Sequence, residues 1–318
     1  MVESRVEQVF DESRRDARKG FMNRKGLTLI EVLVLIVVTA LLLGVLMPGL
    51  NMSRQTAVRL VCKTSLTGIG RAIAVYANEN EGRFPRAGGP GGTWIDEGVI
   101  WDYRGGFTQD EDGAFNIIRD HTGQIIVPGR ATITSSFYYL IKFGQVPPRQ
   151  FICKGDEGAQ EFDLSPFPPY SWDLKKFFDF GPGPPCCPLP GEHVSYSYHL
   201  PYSRAPDDIR SFMIVDISRP TSPVCADRNP HLDKNVLEGG VSTNSAAHQG
   251  KGQNVLYRDG SVRFERQVTV GIAGDNIYTY GGDPWLGGGD PNGTPPAGNG
   301  NGFPLGEKDA YLVGEQNY

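Results

Sequence analysis

The segment Arg24–Glu31, RKGLTLIE, decides the fold, because it opens an apolar run that continues to Leu46. A run of roughly 20 apolar residues is what a helix needs to cross a bilayer. Glu31 is the one charged residue of the run, and a carboxylate inside a membrane costs at least ~2.5 kcal/mol. The sequence therefore predicts a membrane-spanning helix whose single acid needs a partner.

The charges around the run predict its orientation. Within residues 14–25, directly before the run, six cations stand against one acid, Asp16: Arg14, Arg15, Arg18, Lys19, Arg24 and Lys25. Basic flanks stay cytoplasmic, so the chain after Leu46 should be exported. We expect residues 1–21 to be a disordered cytoplasmic leader, with Met22 as an alternative start. The whole chain has a net charge of -5 and lacks a basic patch with interleaved aromatic residues, which argues against a nucleic-acid surface.

Beyond Pro48 the helix pattern becomes one-sided. Apolar residues recur at spacings of three and four, which is typical of a helix that packs on a globular body; they are Val58, Cys62, Leu66, Ile69, Ile73 and Tyr76. We predict one helix over residues 27–80, up to ~80 Å long at ~1.5 Å per residue. Pro48 should kink or locally melt it, and Gly82 and Pro85 should end it.

The composition predicts that the part of the chain after the helix is rich in loops, and it does not determine how the cysteines pair. The chain has 318 residues, with 41 glycines and 24 prolines, and an exposed loop is expected over residues 281–304. Five cysteines are an odd number for a segment predicted to face an oxidising compartment, and their pairing stays open. Cys186 and Cys187 are adjacent and should each pair elsewhere. No CxxC occurs, so zinc is not expected.

The N-terminal pattern resembles the class III signal of the type IV pilin and type II secretion pseudopilin superfamily. That signal is a short basic leader ending in glycine, a large apolar residue, Thr, Leu, Ile or Val, and a glutamate at the fifth mature position. KGLTLIEV, residues 25–32, matches it, except that Leu27 replaces the more usual Phe. The family's proline at mature position 22 falls on Pro48 when Leu27 is counted first.

The resemblance implies a role for each of these residues. Prepilin peptidase would cut between Gly26 and Leu27, and the new amine of Leu27 would be N-methylated. In a fibre Glu31 would pair with the amine of a neighbouring Leu27, which fixes the register between subunits. The alternative is that Glu31 snorkels to the lipid headgroups. The implied partners are other copies of this chain, other pilins, the inner-membrane assembly platform and membrane lipid.

Two further segments resemble planctomycete pilin-like proteins. One is the Cys-x-x-x-Leu-x-x-Ile pattern of residues 62–76 with its Gly-x-x-Pro exit at 82–85. The other is a C-terminal "H-x9-DG" region, although here ten residues separate His248 from Asp259. The second region predicts a hairpin with its turn at Asp259-Gly260. We also expect a helix over 136–144, and strands at 151–153, 193–199, 211–215, 224–226 and 310–313.

His248 and Asp259 allow two interpretations. In the functional one they are ligands or an acid–base pair, joined by Asp227 or His231. In the structural one Asp259 accepts backbone N–H bonds in its own turn and His248 caps the strand. No nucleophile motif, phosphate loop or paired metal-ligand spacing supports chemistry. We therefore favour the structural interpretation and predict a protein that is not an enzyme.

The expected ligands of this chain are few. No cofactor is predicted. By analogy with calcium-binding major pseudopilins, the late loop could hold a structural calcium ion through Asp283, Asp290 and Asn292. Asp110, Asp112 and Gly113 faintly match a calcium loop, but the remaining ligand spacing is absent.

The resulting expectation is an α+β, pilin-like fold: a cleaved leader (1–26), a long helix (27–80, spanning the membrane over 27–47) and a globular head (81–318) with an antiparallel sheet. The chain would wait in the inner membrane with its head in the periplasm and then enter a pilus or pseudopilus. The alternatives are a minor pilin or adhesin that binds a ligand, and an envelope hydrolase that uses His248, Asp227 and Asp259.

Overall fold

A computed structural model gives the fold of this chain. It describes residues 27–87, 93–94, 118–119, 122, 125–127, 130–144, 146–163, 174–176, 179–180, 190–201, 219–232, 243–281, 290–296 and 308–313. Several predicted features lie outside these residues: the leader with Gly26, the strand at 211–215, Cys186, Cys187, Asp110, Asp112, Gly113 and Asp283.

The first element is a helix of 51 residues, α1 (Leu29–Glu79). It is helical without a break through position 48, so no local melting occurs there, and a kink at Pro48 stays a prediction. At its end the Gly82 N–H donates to the carbonyl of Ala77 at 2.7 Å and Gly82 has a φ of 81°, as expected for a glycine that ends a helix. The chain divides into two compact units, residues 1–54 and 55–318, and each is described by itself.

In the second unit, α1 contributes its predicted apolar stripe to the core. Cys62, Leu66, Ile69 and Ile73 are buried, and Val58 and Tyr76 are partly buried against the same cluster. Gly70 lets the helix approach the sheet closely, because a Cβ there would lie 2.7 Å from Cδ1 of Leu256. The amphipathic pattern is thus confirmed over this half of the helix.

The core of the second unit is a five-stranded antiparallel sheet in the order β8-β7-β6-β5-β9. Its strands are β5 (Tyr196–His199), β6 (Pro223–Asp227), β7 (Gln253–Tyr257), β8 (Val262–Glu265) and β9 (Leu312–Val313). The hairpin β7–β8 and the last edge strand β9 confirm two sequence predictions. The Tyr196 hydroxyl of β5 donates to the Cys62 carbonyl of α1 at 3.4 Å, and the Tyr198 hydroxyl donates to the Pro85 carbonyl beyond the end of α1 at 3.1 Å.

Smaller elements lie around this sheet: β1 (Thr93–Trp94) pairs in parallel with β4 (Arg130–Ala131), and β2 (Ile118–Arg119) pairs antiparallel with β3 (Ile125–Val127). The predicted second helix exists as α2 (Ile133–Lys142). The strand predicted at 151–153 is wrong, because a 3-10 helix covers Pro148–Phe151 and Pro148 at its start favours a helical turn. The fold is α+β, with a long apolar N-terminal helix and an antiparallel sheet.

Candidate functional site

The start of α1 is closed by a reciprocal pair of bonds between Thr28 and Glu31. Oγ1 of Thr28 accepts the Glu31 backbone N–H at 3.3 Å. Oε2 of Glu31 accepts the Thr28 backbone N–H at 2.7 Å and its hydroxyl at 2.9 Å. This is a capping box, in which two N–H groups that the helix leaves unpaired are satisfied by side chains. The pattern Thr-x-x-Glu was present in the sequence and was missed there.

Leu27 lies before the helix and is 75% exposed. The bond between Gly26 and Leu27 therefore precedes the capped turn, although Gly26 itself is outside the described residues. A protease binds its substrate in an extended form, and both partners of the capping box lie beyond this bond. Cleavage there would leave the capping box complete.

The first part of α1 is an exposed apolar surface in the single chain. Its large apolar side chains from Leu29 to Leu46 are exposed, and the helix is long and apolar enough to cross a membrane. Its one hydroxyl is satisfied within the helix, since Thr39 donates to the carbonyls of Leu35 and Ile36, both at 2.9 Å. Such internal bonding is what an apolar surrounding demands of a polar group.

A second candidate site is a buried polar cluster in the head, where Asp227 and His248 meet. Oδ2 of Asp227 lies 3.2 Å from Nε2 of His248, and both side chains are buried. Asn254 donates to the same oxygen from its backbone N–H at 2.6 Å and from Nδ2 at 3.2 Å. Its Nδ2 also lies 3.0 Å from Nε2 of His248. This polar cluster thus joins three elements: the end of β6, the 3-10 helix Ala246–His248 and β7.

The structure separates Asp259 from His248. Oδ1 of Asp259 accepts the Ser261 backbone N–H at 2.8 Å in its own exposed turn. The side chain of Ser261 and then its backbone N–H lower the pKa of Asp259. The structural interpretation of Asp259 is confirmed. Within the described residues no hydrogen bond or ion pair links His231 to His248, so of the predicted partners Asp227 alone reaches it.

A disulfide joins Cys62 of α1 to Cys153, which follows the 3-10 helix Pro148–Phe151. Sγ of Cys153 lies 3.7 Å from Nε2 of His248, and one ligand atom from each of Cys62, Cys153 and His248 lies within 4.8 Å of the others. These three residues are far apart in sequence and have no recognisable spacing, which is why the sequence did not predict their meeting. Cys225 is the free cysteine of the described residues, and burial raises the pKa of its thiol.

The turn after Cys153 holds this cluster in place. Gly155 packs so closely that a Cβ would collide with the Ala247 carbonyl oxygen and lie 3.2 Å from Nδ1 of His248. Asp156 accepts from Nε of Arg228 at 3.1 Å, in an ion pair that is 5% exposed on each side. This ion pair ties the turn to the chain directly after β6.

The predicted calcium ligands are only partly described. Oδ1 of Asp290 accepts the Asn292 backbone N–H at 2.8 Å, so this carboxylate oxygen closes its own turn. Nearby, Asp275 accepts N–H bonds from Asp290 and Ala310 at 2.8 and 2.6 Å. Burial and then the charge of Asp309 raise the pKa of Asp275 to about 8. Backbone N–H groups thus donate to both carboxylate oxygens of Asp275.

Comparisons with known proteins give no relative: no family profile, no curated protein and no solved structure matches this chain.

Proposed function

We propose that this protein is a structural subunit of a type IV pilus-like fibre or a type II secretion pseudopilus. The observation that carries the proposal is the first part of α1. It starts at a capped Glu31, exposes apolar side chains along its length, and packs by its later part into the core of the head. The resemblance of residues 24–31 to a prepilin signal is the reason to propose a pilin or pseudopilin subunit in particular.

The exposed apolar surface explains why assembly is the function we favour. Each large apolar side chain that leaves water contributes about 1.5–3 kcal/mol, so this part of α1 is stable only against lipid or against other helices. In lipid it would anchor the subunit in the inner membrane, with the head in the periplasm. In a fibre, identical helices of neighbouring subunits would cover it. Protein then substitutes for lipid, and apolar burial alone does not select a register.

Glu31 is the group that can select the register. In the single chain its carboxylate is bonded to Thr28 alone among the described residues, so its charge has no cationic partner there. Cleavage before Leu27 creates a cationic amine four residues before Glu31 on every neighbouring subunit. Pairing of that amine with Glu31 of the next subunit satisfies both charges, and leaving either unpaired in an apolar core is costly.

The buried cluster around His248 supports a structural rather than a catalytic head. His248 and Asp227 are 5% and 0% exposed, so neither presents a surface to a substrate. The sulfur next to His248 belongs to a disulfide and is not a nucleophile in that form. We therefore propose that this cluster has a structural and not a catalytic role.

The test is filament incorporation of Glu31 variants. Glu31→Val removes the charge and the cap, whereas Glu31→Gln removes the charge and keeps an acceptor at the capping position. We expect both variants to reach the membrane and both to enter filaments at least tenfold less than the parent chain, measured by immunoblotting of sheared fibres. Normal incorporation of Glu31→Gln would show that the charge does not set the register.

A further inference from the structure

We propose that the head binds one zinc ion when its cysteines are reduced. The ligands are Cys62, Cys153, His248 and Asp227. This inference concerns the head alone and does not depend on the proposed role in assembly. It assigns a metal site to the cluster in which a helix, a turn, a 3-10 helix and a strand meet.

The spacing of the donor atoms fits a tetrahedral ion. With bonds of ~2.3 Å to sulfur and ~2.0–2.1 Å to nitrogen or oxygen, tetrahedral zinc places sulfur and nitrogen about 3.5 Å apart, and nitrogen and oxygen about 3.4 Å apart. Here Sγ of Cys153 lies 3.7 Å from Nε2 of His248, and Oδ2 of Asp227 lies 3.2 Å from the same nitrogen. These two edges are close to those of a zinc site. Asp227 lies outside the group of three residues, Cys62, Cys153 and His248, whose ligand atoms are within 4.8 Å of one another, so binding draws its carboxylate toward the two sulfurs.

The donor set has the chemistry that zinc selects. Two thiolates, one imidazole and one carboxylate are typical zinc ligands. Cys62, Cys153 and Asp227 are fully buried, and His248 is 5% exposed, so the site excludes water as a closed structural zinc site does. Asn254 holds the Asp227 carboxylate with two N–H donors, which is the outer-shell support that zinc ligands usually have.

A separate observation points to a missing ligand in this cluster. Oδ1 of Asp227 is buried and has no hydrogen-bond partner, although Oδ2 has several. A buried carboxylate oxygen without a partner costs about 1–3 kcal/mol, and more when charged. Coordination of a cation through both carboxylate oxygens of Asp227 would remove that cost, and within the described residues no hydrogen-bond donor reaches Oδ1.

Zinc and the disulfide are alternatives because they use the same two sulfurs. Two electrons from a phosphine reductant break the S–S bond: the phosphine takes up the oxygen of one water as its oxide, and the two protons of that water complete the thiols of Cys62 and Cys153. Zinc then binds both sulfurs and releases two protons. Oxidation of the pair by the disulfide form of a dithiol–disulfide catalyst re-forms the Cys62–Cys153 bond and releases the ion; the catalyst accepts both electrons and takes up two protons from water as its dithiol. Either state ties α1 to the turn at Cys153.

The experiment compares the reduced and the oxidised full chain. The chain is made by cell-free synthesis in detergent micelles, with a phosphine reductant throughout or with oxidised glutathione. Both samples are loaded with zinc chloride and passed over a desalting column in a weak chelator. We expect close to one zinc per reduced chain and none per oxidised chain, measured by mass spectrometry of the metal. Cobalt(II) should give the intense visible bands of a tetrahedral thiolate site in the reduced chain alone.

Matched variants separate this site from the other metal-binding groups. Cys62→Ser should lose the zinc, whereas Cys225→Ser and the pair Cys186→Ser with Cys187→Ser should retain it. Asp227→Asn should weaken zinc binding by more than about tenfold, whereas Asp259→Asn should leave it unchanged. Retention of zinc by Cys62→Ser, or no zinc in the reduced parent chain, would overturn the proposal.

Folding is followed by near-UV circular dichroism, so that loss of zinc is not confused with loss of structure. If Cys62→Ser fails to fold, the cobalt spectrum of the parent chain and of His248→Gln decides. A reduced parent chain that stays unfolded with zinc as well as without it also counts against the proposal, because binding to a structural zinc site contributes folding free energy.

Discussion

Thr28 and Glu31 bond each other in both directions: Oγ1 of Thr28 lies 3.3 Å from the Glu31 nitrogen, and Oε2 of Glu31 lies 2.7 Å from the Thr28 nitrogen. Glu31 therefore has a local role before any neighbour arrives, because it closes the first turn of α1. The proposed fibre contact adds a cation to a carboxylate that the capping box already holds in position. The proposed cleavage before Leu27 would leave both partners on the mature chain.

Thr28→Val separates the capping role of this pair from its charge. The substitution removes the hydroxyl and keeps the shape of the side chain and the Glu31 carboxylate. Loss of a capping hydroxyl costs about 1 kcal/mol, which a helix of 51 residues tolerates. We expect Thr28→Val to enter filaments to within about twofold of the parent chain in the shearing assay. Failure equal to that of Glu31→Val would show that capping, and not pairing between subunits, is what Glu31 provides.

The Cys62–Cys153 disulfide should be a main source of stability in the oxidised head. It closes a loop with a sequence separation of 91 residues, and loops of about this length gain roughly 4 kcal/mol from their cross-link. In a metal-free buffer with a chelator, the double variant Cys62→Ser with Cys153→Ser should unfold at a clearly lower denaturant concentration than the parent chain. Cys225→Ser removes a thiol outside the disulfide and is the control. An unchanged midpoint in the double variant would contradict this.

Gly155→Ala should destabilise the head because rigid backbone occupies the space of its Cβ. That Cβ would collide with the Ala247 carbonyl oxygen beside His248, and overpacking of this kind costs about 1–3 kcal/mol. Gly68→Ala is a matched comparison, since its Cβ would meet the end of the flexible Gln150 side chain. Thermal unfolding should show a drop of several degrees for Gly155→Ala and little change for Gly68→Ala.

Asp179 should make the stability of the head depend on pH. Burial raises the pKa of Asp179 to about 6, against opposing hydrogen bonds from Thr132, Thr134 and the Phe180 backbone; the Thr132 hydroxyl lies 2.6 Å from its Oδ2. In the unfolded chain the pKa is near its ordinary value of 3.8. Between about pH 4 and pH 6 the folded chain therefore holds a proton that the unfolded chain releases, so the contribution to stability falls as the pH rises.

Asp179→Asn removes this titration, because the asparagine side chain does not ionise in this range and has nearly the shape of the protonated aspartic acid. Relative to the variant, the parent chain should lose up to roughly 3 kcal/mol of unfolding free energy between pH 4 and pH 6.5. Denaturant unfolding of both chains across this range measures the difference. A constant difference between them would show that Asp179 does not change its protonation on folding.

Local patterns predicted those parts of the fold whose contacts are local. The stripe from Val58 to Tyr76 predicted which face of α1 is buried, and the Asp259-Gly260 turn predicted the β7–β8 hairpin. The strand predicted at 151–153 is wrong, because three apolar residues in a row do not distinguish a short strand from the end of a helical turn. Pro148 decided the local conformation, and the result is a 3-10 turn.

The polar cluster of the head could not be predicted in the same way. Cys62, Asp227 and His248 come from elements that only the tertiary fold brings together, and the pairing of β6 with β7 is what places Asp227 beside Asn254. Sequence spacing carries no signal for such contacts. The capping box differs, because Thr28 and Glu31 have in the sequence the spacing that defines it.

The mature N-terminus tests the central claim most directly. The chain is purified from cells with an active prepilin peptidase and analysed intact and as N-terminal peptides by mass spectrometry. We predict that it starts at Leu27, with a methylated amine, and that Thr28 and Glu31 are its second and fifth residues. A chain that keeps Gly26 and the residues before it under these conditions would contradict the proposal that this protein is a processed fibre subunit.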